Sequence, residues 1–154
     1  MLKSLDLHRE LRLGLDALGH TQATEVQEAV VPLALSGADL QVSAETGSGK
    51  TLAYLLPMAQ ALLESGADSH PGTRGLVLVP TRELARQVLK HCRALLAKSH
   101  LQAQAITGGA DFKYQKSLLR KDPEILIATP GRLLEHCQKG SADLASLKVL
   151  VLDE

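Results

Sequence analysis

The run Ala44-Glu45-Thr46-Gly47-Ser48-Gly49-Lys50-Thr51 constrains this chain more than any other feature. It closes an apolar stretch, 40–44, and opens a second, longer one. Glycines at this spacing let successive backbone N–H groups turn inward around an anion, and a helix starting at the lysine adds its positive end. A loop of this kind works only between a strand and a helix. The chain is therefore expected to fold as strand, loop and helix about residue 47, and to continue in the same style.

The rest of the chain agrees. Short apolar runs at 40–44, 75–79, 102–107, 125–129 and 149–153 read as buried strands, and helical stretches are expected near 49–64, 82–98, 112–120 and 132–139. Alternation of this kind predicts an α/β fold whose parallel sheet is flanked by helices on both faces. Ahead of it, Leu7, Leu11, Leu15 and Leu18 fall at helical spacing. Thr24-Glu25-Val26-Gln27 has the form of a capping box before a second helix running to Leu35, with Gly37 as its stop. Pro32 is expected to kink or shorten that helix. Residues 65–73 read as a turn-rich surface loop.

Composition narrows the function. Aromatic residues make up 2% of the 154 residues (Tyr54, Phe112 and Tyr114), too few for a module that stacks several bases on aromatic platforms. Cys92 and Cys137 cannot form a disulfide framework or a four-ligand zinc site, and read as two reduced thiols. No run approaches the length of a membrane span, and the first fifteen residues lack a signal-peptide core, so a cytoplasmic address is expected. Net charge is zero, yet residues 1–72 carry four Lys/Arg against nine Asp/Glu and residues 73–154 carry thirteen against eight. That split points to an anionic partner on the second half.

In a sheet of this type ligands bind beyond the carboxyl ends of the strands. The polar strand ends are 44–47, Pro80-Thr81-Arg82, Gly108-Gly109, Thr129-Pro130-Gly131-Arg132 and Asp153-Glu154. The first matches a Walker A loop, with Ala44 in place of the usual first glycine. Its Lys50 can reach the β- and γ-phosphates of a nucleotide, and the Thr51 hydroxyl can ligate Mg²⁺. Residues 149–154 match a Walker B strand, which delivers a carboxylate to the metal, with a second acid beside it.

The loop AETGSGKT, then PTRELA at 80–85, TPGR at 129–132 and finally LDE, in that order, resemble the DEAD-box RNA helicases. The resemblance runs from about residue 2 to residue 154. It implies a P-loop NTPase fold of RecA-like type, with N-terminal helices and a Q motif at 1–38 and part of a first RecA-like domain at 39–154. A second domain and the end of the first are then expected beyond Glu154, so that the fold is incomplete at the C-terminus.

The resemblance also implies roles. Gln27 would read adenine, whose N7 and N6 suit a side-chain amide. Residues Ala44, Glu45, Thr46, Gly47, Ser48, Gly49, Lys50 and Thr51 would bind ATP, with Thr51 and Asp153 holding Mg²⁺. Lys50 and Glu154 would be catalytic, Glu154 by polarising water. Pro80, Thr81, Arg82, Gly108, Gly109, Thr129, Pro130, Gly131 and Arg132 would hold the RNA sugar-phosphate backbone without reading sequence. The expected function is the ATP-binding core of an RNA helicase. Alone, the chain is expected neither to hydrolyse ATP nor to unwind RNA, because it lacks an arginine finger, itself worth about a thousand-fold or more. The alternatives are a free-standing nucleotide-binding regulator and a DNA-directed helicase or translocase.

The chain departs from the family's pattern at Leu2 and His20, where aromatic residues are usual, and at Ala23, where proline is. Adenine would then rest more heavily on Gln27. A glutamate there would serve the helix cap nearly as well while losing the donor that adenine needs. On the helix after PTRELA, Arg82, Arg86, Lys90 and Arg93 share one face, of which only Arg82 lies at a strand end. The six histidines show no metal-ligand spacing and receive no role.

Overall fold

A computed structural model describes residues 4–66 and 72–154. Leu2 and most of the loop expected at 65–73 lie outside the described residues. The elements follow in the order α1 (Arg9–Ala17), α2 (Glu25–Leu35), α3 (Lys50–Glu64), β1 (Gly75–Leu78), α4 (Arg82–Leu96), β2 (Ala103–Ile106), α5 (Phe112–Leu119), β3 (Ile125–Ala128), α6 (Pro130–Gln138) and β4 (Val149–Leu152). All strand pairs are parallel, in the order β2-β3-β1-β4.

Alternation along the strands builds two cores. Val77, Ile125 and Ile127 point into one, with α1 to α4 packed on it, and Leu76, Leu126 and Ala128 point into the other, beneath α5 and α6. The helix α3 is buried at nine positions and runs through Pro57 without a break. At the α1–α4 crossing, a Cβ on Gly14 would meet the Leu95 carbonyl oxygen at 2.1 Å, so only glycine lets the two helices approach this closely.

Three expectations are corrected. Residues 40–44 form no strand, and Leu40 and Val42 are 41% and 42% exposed. An extended segment becomes a strand only by pairing, and no described strand pairs with this one. Pro32 does not shorten its helix, which continues to Leu35 with Pro32 on the exposed side. The third correction is at α6, which starts at Pro130 rather than Arg132, because a proline at the first helical position gives up only an N–H that had no partner there.

The thiols are free, and burial pushes Cys92 up to about 12, so it stays protonated at neutral pH. Among the described residues no helix is long and apolar enough to cross a membrane.

Candidate functional site

Two clusters of loops gather at the carboxyl edge of the sheet. The first is built on the N-terminus of α3. Gly47 and Gly49 take φ of 82° and 93°, the left-handed turn that lets backbone N–H groups face inward. Ser48 N donates to Glu45 O at 3.2 Å, while Glu45 and Thr46 are exposed. Lys50 Nζ donates to Ala44 O, folding the lysine back across the loop. The Ser48 hydroxyl is buried without a protein partner among the described residues. A polar group left this way costs free energy unless a ligand or water meets it.

Gln27 lies directly beneath. Its Oε1 accepts from Thr24 N at 3.1 Å, and Thr24 Oγ1 accepts from Gln27 N, completing the expected capping box. Its Nε2 also donates to Gly49 O at 3.2 Å. The glutamine therefore ties α2 to the phosphate loop. A glutamate would keep the cap but set a carboxylate against that carbonyl, so the expected tolerance of a glutamate is corrected by this contact. Each end of the amide retains one hydrogen-bonding position after these contacts.

Asp153 reaches the same cluster through Tyr54, whose hydroxyl donates to Asp153 Oδ2 at 2.8 Å. Burial, reinforced by that bond, holds the Tyr54 phenol far above its ordinary range, so it is a permanent donor. Thr51, one turn earlier on α3, also adjoins the phenol. Thr51 and Asp153 are thus drawn to one point, and a hydroxyl plus a carboxylate is a donor set that Mg²⁺ accepts when phosphates and waters complete it. Glu154 follows, exposed.

The second cluster joins the ends of β1, β2 and β3. Pro80 is exposed, and Thr81 caps α4 by accepting from Leu84 N at 3.2 Å. The Arg82 guanidinium lies over Gly109, where a Cβ would come within 2.2 Å of Arg82 Nη1. Gly108 N donates to Thr129 Oγ1 at 3.3 Å. Pro130 and Gly131, both exposed, form the first turn of α6. Arg132 is turned inward: Nη1 donates to Ala110 O at 2.7 Å and Gln115 Oε1 at 3.0 Å, and Nε faces Glu135 Oε2 at 3.1 Å. Arg93, on the same helical face as Arg82, holds β2 through Ala103 O and Gln104 Oε1.

Three residues were missed. Tyr54 was noted only as an aromatic, and Gln115 was not singled out. His136 is fully buried, corrects the expectation that no histidine has a role, and donates from Nε2 to Gln115 Oε1 at 3.0 Å. The available signal was a polar residue set in an apolar stripe: Gln115 beside Leu118 and Leu119, His136 beside Leu133.

The first cluster can hold a nucleoside triphosphate with its metal, and the second can hold a phosphodiester backbone. Comparison with known proteins bears on both. The DEAD/DEAH box helicase model matches residues 24–154. The chain is 45% identical over 140 residues to the ATP-dependent rRNA helicase rrp3 of Aspergillus terreus, covering 90% of this chain and 31% of that protein. It is 41% identical over 150 residues to the ATP-dependent RNA helicase SrmB of Escherichia coli, covering 97% and 34%. A crystal structure of a hypothetical ATP-dependent RNA helicase from Sulfolobus tokodaii superposes with a TM-score of 0.84 at 36% identity, covering 96% of this chain and 41% of that one. The chain thus spans about a third of the length of these curated relatives.

Proposed function

The chain belongs to the DEAD/DEAH box helicase family, and from that premise we propose that it is the ATP-binding core of a cytoplasmic, ATP-dependent RNA helicase. The observation that carries this reading is the loop at 44–50, where Lys50 folds back to Ala44 O and the Ser48 hydroxyl has no partner among the described residues, with Tyr54 of the following helix α3 bonded to Asp153 at the end of β4. The triphosphate lies on the N–H groups of 46–50. Lys50 leaves Ala44 O to meet the β- and γ-phosphates, and Ser48 gains its missing partner. Thr51 and Asp153 would hold Mg²⁺, which would supply charge neutralisation at the phosphates. Gln27 offers the remaining valence of each amide end to adenine. Glu154 orients the attacking water.

RNA lies across Pro80-Thr81-Arg82, Gly108-Gly109 and Thr129-Pro130-Gly131-Arg132. The donors there are guanidinium groups, hydroxyls and backbone amides, which hold phosphate without reading bases. Neither a regulator without turnover nor a DNA-directed translocase is favoured, since the relatives are named RNA helicases. The test is titration of the full-length protein with a fluorescent ATP analogue, with and without Mg²⁺, and with a single-stranded RNA. Saturable binding that weakens in Asp153→Asn only when Mg²⁺ is present supports the reading. Binding indifferent to Lys50 and Asp153 would overturn it.

A further inference from the structure

The second cluster is braced from within by residues that touch no surface a ligand reaches. Gln115 is 2% exposed and His136 is fully buried. Gln115 Nε2 donates to Thr107 O at 2.7 Å, which fixes the amide's orientation because a carbonyl can only accept. Its Oε1 then accepts from Arg132 Nη1 and from His136 Nε2, both at 3.0 Å. His136 must carry its proton on Nε2, leaving Nδ1 to take the Ser141 hydroxyl at 2.7 Å. Burial first, then the charges of Arg132 and Lys139, push the His136 pKa down, and Phe112 stacks on the ring with centroids 4.1 Å apart.

These contacts have a direction. They run from the 141 turn, through α6 and α5, to the loop after β2 and to the arginine of TPGR. Arg132 passes the restraint on to Ala110 O. One amide thus pins both ends of the 107–110 segment, once at Thr107 directly and once at Ala110 through Arg132. Gly109, with φ of 80°, lies between the two pins and beneath Arg82. A backbone that must present N–H groups to a phosphate benefits from such fixing, because little entropy remains to be lost on binding.

We propose that Gln115, held by His136 and Ser141, is a positioning residue for the nucleic-acid interface, setting Arg132 and the 107–110 loop for the RNA backbone. The inference rests on the reading of this edge as the RNA site. A buried amide that merely satisfies its neighbours would affect stability alone. A positioning residue affects RNA affinity well below the melting temperature, and it does so through Arg132 and the 107–110 loop.

The experiment measures single-stranded RNA and ATP-analogue affinity of the full-length protein at a temperature where every variant is folded. If the parent binds no RNA, the underlying reading fails before Gln115 is reached. With the parent binding, Gln115→Leu is expected to weaken RNA affinity about tenfold, equivalent to the net loss of a hydrogen bond or two, with ATP affinity unchanged. Gln115→Glu keeps the acceptors for Arg132 and His136 but sets a carboxylate against Thr107 O, so it is expected to recover only the part of the loss that runs through Arg132. Adding Gln115→Leu to Arg132→Ala should bring less than the sum of the two losses, the non-additivity that marks action through a shared partner, with the Thr107 contact as the remainder. Ser141→Ala, a milder change at the rim, should weaken RNA affinity about two-fold in the same sense and serves if Gln115→Leu does not fold. Unchanged RNA affinity in a folded Gln115→Leu or in Ser141→Ala, equal losses for ATP and RNA, or additive losses with Arg132→Ala would each overturn the proposal.

Discussion

The two loop clusters sit on one sheet edge and are held in opposite ways. The phosphate loop is tied down at its flanks, by Gln27 at Gly49 and by Lys50 at Ala44, and keeps a buried hydroxyl without a partner at its centre. The 107–110 and 129–132 loops are cross-braced through Gly108, Thr129, Arg132 and Gln115. The first design leaves interactions for an incoming ligand to complete. The second has completed its own and offers a fixed surface. A nucleotide that is exchanged suits the first, and a polymer gripped at several points suits the second.

Substitutions can break that contrast. The largest effect is expected from Lys50→Ala, which removes a charged donor to the phosphates. ATP-analogue affinity should fall by about 1.5–3 kcal/mol in equilibrium titration while RNA affinity stays near the parent value. A parallel loss of RNA affinity would mean that the clusters are not independent.

Gly109→Ala attacks the other side. It forces a Cβ into a left-handed backbone and against Arg82, at a cost of about 1–2 kcal/mol. RNA titration should report weaker binding with a shallower salt dependence, by about one phosphate contact if Arg82 is displaced, and ATP binding should not move. Next in size is Gln27→Glu. The lost donor to Gly49 O should lower thermal stability by about 1 kcal/mol, and the preference for ATP over GTP should shrink. If stability alone changed, Gln27 would act on the loop and not on the base.

The smallest effect is one of pH. Because His136 has its pKa lowered in the folded protein, the unfolded chain takes up a proton first as pH falls. This contribution to stability is complete above about 6.5, the ordinary histidine value, and is lost progressively below it. Melting temperatures recorded from pH 8 to 5.5 should therefore fall more steeply for the parent than for His136→Asn. Equal slopes would show that the ring is not held neutral.

The order of elements was legible because buried parallel strands write themselves as short apolar runs between amphipathic helices. The strand ends were legible for the same reason, as the polar and glycine-bearing breaks in that pattern. Residues 40–44 were not, since an apolar run records readiness to pair and says nothing of whether a neighbour is present. The braces were hidden for another reason. Gln115 and His136 answer backbone carbonyls and side chains on other elements, and such partners leave no periodic trace. Tyr54 and Asp153 stand 99 positions apart, and nothing near either one advertises the other. The capping box shows the converse limit: Thr24 and Gln27 announced the helix start correctly, yet the glutamine's second bond to Gly49 could only be seen in three dimensions.

The strands themselves are unequally protected. The strand β3 is buried at all four positions, whereas β4 alternates partly buried valines with leucines that are 54% and 71% exposed. A fully buried leucine stabilises by about 1.5–3 kcal/mol, so Leu150 contributes only part of what Leu126, at the same register in β3, does. In this 154-residue chain amide exchange in β4 should therefore run ahead of exchange in β3. Asp153, the carboxylate proposed for Mg²⁺, follows this less buried strand, with the Tyr54 hydroxyl as its tether to the well-buried helix behind it.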